Sequence, residues 1–109
     1  MKLVFAIVSD EDSSILADNL NQEGLSTTKL CSTGGFLKSG NTTFLIATDD
    51  DKVDRAISII HDTCKSRRRM IAPEKIPDSF GAFNMAMPIE VKVGGATVFT
   101  LNIEQFFKL

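Results

Sequence analysis

The sequence is poor in the residues that build metal sites and disulfide frameworks. It contains one histidine, His61, and two cysteines, Cys31 and Cys64, and no CxxC motif. A structural zinc site needs several cysteine or histidine ligands at short spacings, so we predict that the protein holds no metal. Free cysteine packs as a small hydrophobe, and we predict two buried, reduced thiols. Tryptophan and tyrosine are absent as well, which leaves eight phenylalanines as the only aromatic side chains apart from His61.

The charged residues nearly balance, and long apolar runs are missing. The formal net charge is −2, from 12 lysines and arginines against 14 aspartates and glutamates. This provides no overall field that favours nucleic acid or anionic lipid. The longest apolar run near the N-terminus, residues 3–8, is far shorter than the ~20 residues that span a bilayer, and no signal-peptide cleavage pattern follows it. We expect a cytoplasmic protein that binds neither nucleic acid nor membrane.

The hydrophobic pattern predicts a single domain, 1–109, with five strands and two helices. Acidic residues open both helices, and Gly24 stands where a helix C′ glycine belongs. Three arginines, 67–69, follow the second helix; they are interpreted as cations at its negative end rather than as a nucleic-acid patch, because the whole chain is acidic. The predicted strands are 2–9, 25–33, 41–48, 88–93 and 96–103, and the predicted helices begin at Asp10 and at Asp49.

The stretch after the second helix differs in character from the rest of the chain. Residues 70–87 show no apolar periodicity, and the three prolines lie within them or at their edge. Loops longer than ~12–15 residues are uncommon in small domains and are usually functional or disordered. Gly94-Gly95 then predicts a two-residue hairpin turn between the last two strands.

The element order is β-α-β-β-α-β with an extra C-terminal strand, which predicts an α+β, ferredoxin-like fold. Right-handed crossovers place both helices on one face of the antiparallel sheet. The strands LVFAIV, TFLIAT and TVFTLNI are apolar enough to need cover on the opposite face too. A closed ring of subunits supplies that cover, and the pattern alone is compatible with a dimer or a trimer.

The stretch CSTGGFLKSGNTTFLI, residues 31–46, interrupts a good strand pair in an unusual way. A plain hairpin needs two turn residues, whereas this connection is longer and presents Phe36 and Leu37 where polar residues are normal. It is either a packing device or the mouth of a binding site. Taken singly, its glycines fit an ordinary turn, its apolar pair fits packing on the core, and Asn41 fits a turn cap.

The segments STGGFLKSGNTTFLI and PIEVKVGGATVF, together with MKLVFAIV and DDDKVDRAISII, resemble the PII-like cyclic-di-AMP receptor family over the whole chain. The resemblance implies a PII-type ferredoxin-like fold and a homotrimer. It also implies no enzymatic activity, no cofactor, and one cyclic-di-AMP in each cleft between neighbouring subunits. The family has a short loop between strands two and three, here 34–40, and a long loop after helix two, here 70–87.

The resemblance assigns ligand-binding roles to six residues. Glycine lets the main chain approach a ligand closely, an aromatic ring stacks on a purine, and the Asn41 amide matches the edge of adenine. The Thr28 hydroxyl can donate to a phosphate or to a base nitrogen. The implied site residues are Thr28, Gly35, Phe36, Leu37, Asn41 and Phe99.

Three positions depart from the family pattern and keep a second function open. Ser26 stands where the family often has arginine, Ala47 where it has glycine, and Lys108 where it has glutamine. These changes leave the fold and the trimer intact but alter the predicted ligand site. The first function is a cyclic-di-AMP signal protein whose long loop reorganises on binding and is read by a protein partner that the sequence does not name. The alternative is a trimeric scaffold that binds another nucleotide or none.

Overall fold

The computed structural model describes residues 1–31, 40–71 and 88–109. These residues form six strands, two α-helices and one short 3₁₀ helix at Asp50–Lys52 that leads into the second α-helix. The strands and helices are, in chain order, β1 (Lys2–Ser9), α1 (Asp10–Gln22), β2 (Thr27–Cys31), β3 (Asn41–Thr48), α2 (Val53–Cys64), β4 (Arg67–Ile71), β5 (Ile89–Val93) and β6 (Ala96–Asn102).

Four of the strands form one antiparallel sheet in the order β2-β3-β1-β6. The central strand β1 pairs with β3, where Phe5 lies opposite Leu45, and with β6, where Phe5 lies opposite Phe99. Two helices and an antiparallel sheet in this order agree with the ferredoxin-like βαββαβ arrangement, so the predicted fold class is confirmed. The last strand of that arrangement is β6.

Alternate residues of the central strands face the helices and form the core. Val4, Ala6 and Val8 of β1 are buried, whereas the residues between them are only half-buried. This alternation is the period of a strand with one covered face. The core residues on the helices and on β3 include Leu16, Leu20, Phe44, Ile46, Ala56, Ile60 and Cys64. Burying a side chain such as Phe44 stabilises the fold by roughly 1.5–3 kcal/mol.

The end of α2 corrects one prediction from the sequence. The helix ends at Cys64, because Lys65 adopts an extended backbone conformation with φ −50° and ψ 145°. The three arginines then lie in β4, which pairs with β5 in a separate two-stranded sheet. Their interpretation as cations at the end of the helix was wrong. Alternation along β4 instead brings Arg67 and Arg69 to carboxylates on α1.

The predicted hairpin at Gly94-Gly95 was also wrong. β5 pairs with β4 and β6 pairs with β1, so the two glycines carry the chain from one sheet to the other. Both have positive φ, +77° and +96°, and the Gly95 N–H donates to the Cys64 carbonyl. The strands additional to βαββαβ are therefore β4 and β5, inserted before the last strand, and not a strand at the C-terminus.

The two predicted loops fall mostly outside the described residues. Of residues 34–40, only Gly40 is described, and it precedes β3 with φ +94°. Of residues 70–87, Met70 and Ile71 belong to β4. In the part of the chain that the structure describes, neither α-helix is long and apolar enough to cross a membrane.

Candidate ligand-binding site

The sheet face opposite the helices is apolar, and parts of it are open to solvent in the single chain. Leu3, Phe5 and Ile7 of β1 point to this face because Val4, Ala6 and Val8 point to the core. On the edge strand β6, Phe99 and Leu101 are 54% and 52% exposed. We call this surface the open face. Exposed apolar surface of this kind marks a binding or association site.

Two of the predicted site residues lie in one row across the open face. Thr28 is opposite Leu45, Leu45 is opposite Phe5, and Phe5 is opposite Phe99. Thr28 and Phe99 therefore share a face but occupy the two outer strands. Three strand spacings separate them, a distance of about 14 Å. Within one chain the structure aligns these two residues without bringing them into contact.

Asn41 lies at a different level of the same face. It begins β3, opposite Ser9, and is half-buried. Leu45 lies four positions further along the strand, which puts Asn41 about 14 Å from the row of Thr28. The remaining predicted site residues, Gly35, Phe36 and Leu37, lie outside the described residues, and their roles stay predictions.

The start of β3 is held by the first residue of α1. The Asp10 N–H donates to the Gly40 carbonyl over 2.8 Å, and the Thr42 hydroxyl donates to the Asp10 carboxylate. Asp10 also accepts a 2.8 Å bond from the Ser13 hydroxyl at its carbonyl. These bonds fix the strand end that carries Asn41. Sequence reasoning found Asp10 only as a residue of the first helical turn.

A cleft lies between Asn41 and the two-stranded antiparallel sheet of β4 and β5, which we call the β4–β5 hairpin. Its volume is about 360 Å³, and its lining includes Ser66, Lys92 and Thr97. Gly94 and Gly95 form part of its wall. Sequence reasoning missed these residues, because the cleft exists only when β5 pairs with β4 rather than with β6.

The hairpin is attached to α1 through a partly buried ion pair. Arg67 donates to both oxygens of Asp12, from Nη2 to Oδ1 over 2.7 Å and from Nη1 to Oδ2 over 3.3 Å. Asp12 is only 2% exposed, and this carboxylate raises the pKa of Arg67 above its usual range. Arg69 adds an exposed pair with Glu11 at 3.0 Å. The wall of the cleft formed by the hairpin is thereby fixed relative to the helix layer.

Comparison with known proteins identifies the family. A family model described as "Cyclic-di-AMP receptor" matches residues 1–109, the full length of the chain. The chain belongs to the cyclic-di-AMP receptor family. Its fold also matches the crystal structure of a functionally unknown protein from Pediococcus pentosaceus ATCC 25745, with 39% identity and a TM-score of 0.79, over 99% of this chain and 96% of that one.

The described part of this member of the cyclic-di-AMP receptor family offers groups of the type that a cyclic dinucleotide needs. Phe99 presents an exposed aromatic ring, Thr28 an exposed hydroxyl, and Asn41 a half-buried amide. The hydroxyl of Thr43, two residues beyond Asn41 on the same face, is buried, and it finds no hydrogen-bond partner within the described residues. A buried polar atom of this kind is normally satisfied by water or a ligand. Within those same residues, no cluster of histidine, cysteine and carboxylate side chains could hold a metal.

Proposed function

We propose that this protein is a PII-like signalling protein that binds cyclic-di-AMP in the clefts between subunits of a cytoplasmic homotrimer. The family supports the ligand class, and it is a family of receptors rather than of enzymes. The observation that carries the location of the site is the position of Thr28 and Phe99 on opposite outer strands of one face.

A closed ring of subunits brings those two residues together. In a ring with a heterologous interface, one edge of each subunit meets the other edge of its neighbour. The β2 edge that carries Thr28 then adjoins the β6 edge that carries Phe99 of the next chain. The same arrangement turns the open faces inward and covers Phe5, Leu45 and Leu101. One interface therefore buries the apolar face and assembles the ligand site.

The side chains of the site match the chemistry of a cyclic dinucleotide. Its two purines stack on aromatic rings, a role for Phe99 and for Phe36. The Asn41 amide pairs with the donor–acceptor edge of adenine. The Thr28 hydroxyl donates to a phosphate or a base nitrogen. The protein performs no chemistry on the ligand; a protein partner reads whether the clefts are occupied.

Calorimetric titration with cyclic-di-AMP, cyclic-di-GMP and ATP tests this function. We expect one cyclic-di-AMP per chain with micromolar or tighter affinity, and weaker binding of cyclic-di-GMP because guanine presents O6 in place of the adenine amino group. Phe36→Ala and Asn41→Ala each lose ~1–3 kcal/mol of binding free energy. Ile15→Ala, at an exposed site on α1, is the control that keeps full affinity. Absence of binding at hundreds of micromolar ligand would contradict the proposal.

A trimeric scaffold with another ligand, or with none, is the second candidate, and the departures at Ser26, Ala47 and Lys108 favour it. Ser26 is exposed immediately before β2, where an arginine would add a charge-assisted bond. Ala47 lies on the open face, opposite Leu3. Ser26→Arg and Lys108→Gln separate the two functions. Tighter binding of cyclic-di-AMP by these variants means a weakened receptor, whereas no binding by wild type and both variants means a scaffold.

A further inference from the structure

The two faces of the β4–β5 hairpin differ in how their positively charged side chains are paired. On one face, Arg67 and Arg69 are paired with carboxylates of α1. On the other face, Arg68 and Lys92 lie directly opposite each other across the two strands. Like charges in opposite positions of an antiparallel pair destabilise the pairing. The second face therefore concentrates positive charge at a cost to the hairpin itself.

Among the described residues, one carboxylate lies close to this second face. The Glu90 carboxylate is 3.4 Å from Arg68, and both side chains are at least half exposed. Across the described ranges, no carboxylate lies within ion-pair distance of Lys92. Arg68, Lys92 and Glu90 together leave one positive charge uncompensated. An exposed ion pair of this kind stabilises a protein only slightly, so Glu90 does not account for the placement of two cations opposite each other.

Lys92 also lines the cleft that contains Asn41. The other polar side chains that line it within the described part of the chain are the hydroxyls of Ser9, Ser66 and Thr97, and none of these described lining residues is acidic. An ammonium group beside several hydroxyls is a suitable environment for a phosphate oxygen, since both kinds of group donate hydrogen bonds to it. The cleft reaches Asn41, which the proposed function places against a base.

We propose that Lys92 holds a phosphate group of the bound dinucleotide in the cleft between Asn41 and the β4–β5 hairpin, and that Arg68, which lies opposite Lys92 on β4, adds positive charge beside it. This inference rests on the proposed binding of cyclic-di-AMP, whose two phosphates carry two negative charges. The ligand then relieves the repulsion between the two cations. It also links the hairpin to the four-stranded sheet, because Asn41 belongs to the sheet and Lys92 to the hairpin.

Titration calorimetry at low and at high salt tests the proposal on the full chain. Lys92→Gln weakens cyclic-di-AMP binding by about five- to tenfold at low salt, and the difference shrinks at high salt because exposed charges are screened. Lys92→Arg keeps most of the affinity because it keeps the charge. Lys52→Gln, which removes an exposed lysine from the 3₁₀ helix, is the matched control and binds like wild type. Arg68→Gln, like Lys92→Gln, weakens cyclic-di-AMP binding.

Two outcomes separate this inference from the proposed function. If Phe36→Ala loses affinity while Lys92→Gln and Arg68→Gln bind like wild type at both salt concentrations, the receptor function stands and the phosphate contact is refuted. If wild type binds no cyclic-di-AMP, the proposed function fails, and NMR titration with inorganic pyrophosphate decides the anion site. Shifts of the Ser66 and Thr97 amides that disappear in Lys92→Gln support an anion site, and their absence in wild type overturns it.

Discussion

Gly94 occupies a position where a side chain has no room. A β-carbon there would lie 2.5 Å from Nη1 of Arg67 and 2.9 and 3.0 Å from the carbonyl oxygens of Lys65 and Cys64. Two of these neighbours are backbone atoms that cannot rotate away. Gly95 shares the positive φ, but no atom lies within 4 Å of the position that its β-carbon would occupy. The pair therefore separates the cost of backbone conformation from the cost of a steric clash.

Gly94→Ala is expected to destabilise the protein more than Gly95→Ala. Both substitutions place alanine at positive φ, at a cost of about 1–3 kcal/mol, and only the first adds contacts below 3.0 Å and displaces Arg67 from Asp12. Urea unfolding of the two variants provides the comparison. Equal losses of unfolding free energy in the two variants would contradict the steric clash expected at Gly94.

The second prediction at the residue scale concerns Cys64 and the dependence of the unfolding free energy on pH. Burial raises the pKa of its thiol to about 11, with the Asp12 carboxylate adding to the shift. The unfolded thiol loses its proton first, at its ordinary pKa of 9.0. The stabilisation is therefore fully present below pH 9 and is lost as the pH rises toward 11, at up to about 1.4 kcal/mol per pH unit.

Cys64→Ala isolates this contribution. Every other ionisable group is common to the two proteins, so the difference in unfolding free energy between wild type and variant should be constant below pH 9 and fall above it. A difference that stays constant up to pH 11 would mean that the thiol ionises as easily in the folded protein as in the unfolded chain.

At the scale of elements, the ion pair between Arg67 and Asp12 attaches the β4–β5 hairpin to α1 and is expected to contribute to the stability of the fold. One half-exposed guanidinium neutralises one buried carboxylate, Asp12. Removing the arginine leaves that carboxylate buried without a partner, and breaking a pair of this kind costs several kcal/mol. Among the described residues, the other ion pairs between the hairpin and α1 are those of Glu11 with Arg67 and Arg69, and the Glu11 side chain is 41% exposed.

Arg67→Gln is expected to lower the free energy of unfolding, because the Asp12 carboxylate then stays buried without its partner, and to speed amide exchange in β4 and β5. Adding Asp12→Asn should recover part of the loss, because the orphaned charge is then removed. The neighbouring substitution Arg68→Gln should change stability by less than about 0.5 kcal/mol. Similar losses for the two arginines would contradict the assigned role of Arg67.

These elements also show how far the sequence could predict the fold. Strand β1, the start of α1 and the helix end near Gly24 follow from local apolar periodicity and turn residues, and they were predicted. The second helix was predicted from Asp49, whereas a 3₁₀ turn at Asp50–Lys52 precedes α2, which begins at Val53. Strand β4 was not, because RRRMI has no apolar alternation and its stability depends on carboxylates of α1 more than 50 residues away. The cleft wall at Ser66 and Lys92 was missed for the same reason, since it depends on that pairing. Thr28, Asn41 and Phe99 were suggested by family resemblance, and their placement on one face required the register of the sheet.

At the scale of the whole molecule, the open face is the surface through which we propose that chains associate. Exposed Leu101 lies in the row of Leu3 and Ala47, next to the row of Phe99. A charge introduced there would have to be buried in the proposed assembly without a partner, at a cost of several kcal/mol. The helix-covered side offers a comparison, because Ile15 on α1 is equally exposed.

Light scattering on the purified protein should give three times the chain mass. Leu101→Lys should shift the mass toward the monomer, whereas Ile15→Lys should leave the trimer intact. A monomeric wild type, or equal dissociation by the two variants, would refute association through the open face.

Because Thr28 and Phe99 lie on opposite outer strands, two variants that are each defective at one of these residues can be tested for complementation. If each cleft takes one edge from each of two neighbouring chains, two different defective chains can complement each other. Thr28→Ala damages only the β2 side of a cleft, and Phe99→Ala only the β6 side. When the two variants are refolded together in equal amounts, about one cleft in four combines two intact edges. That fraction should bind cyclic-di-AMP with wild-type affinity, although neither variant alone contains such a cleft. A mixture that binds only as weakly as its components would place both residues in the same subunit's site.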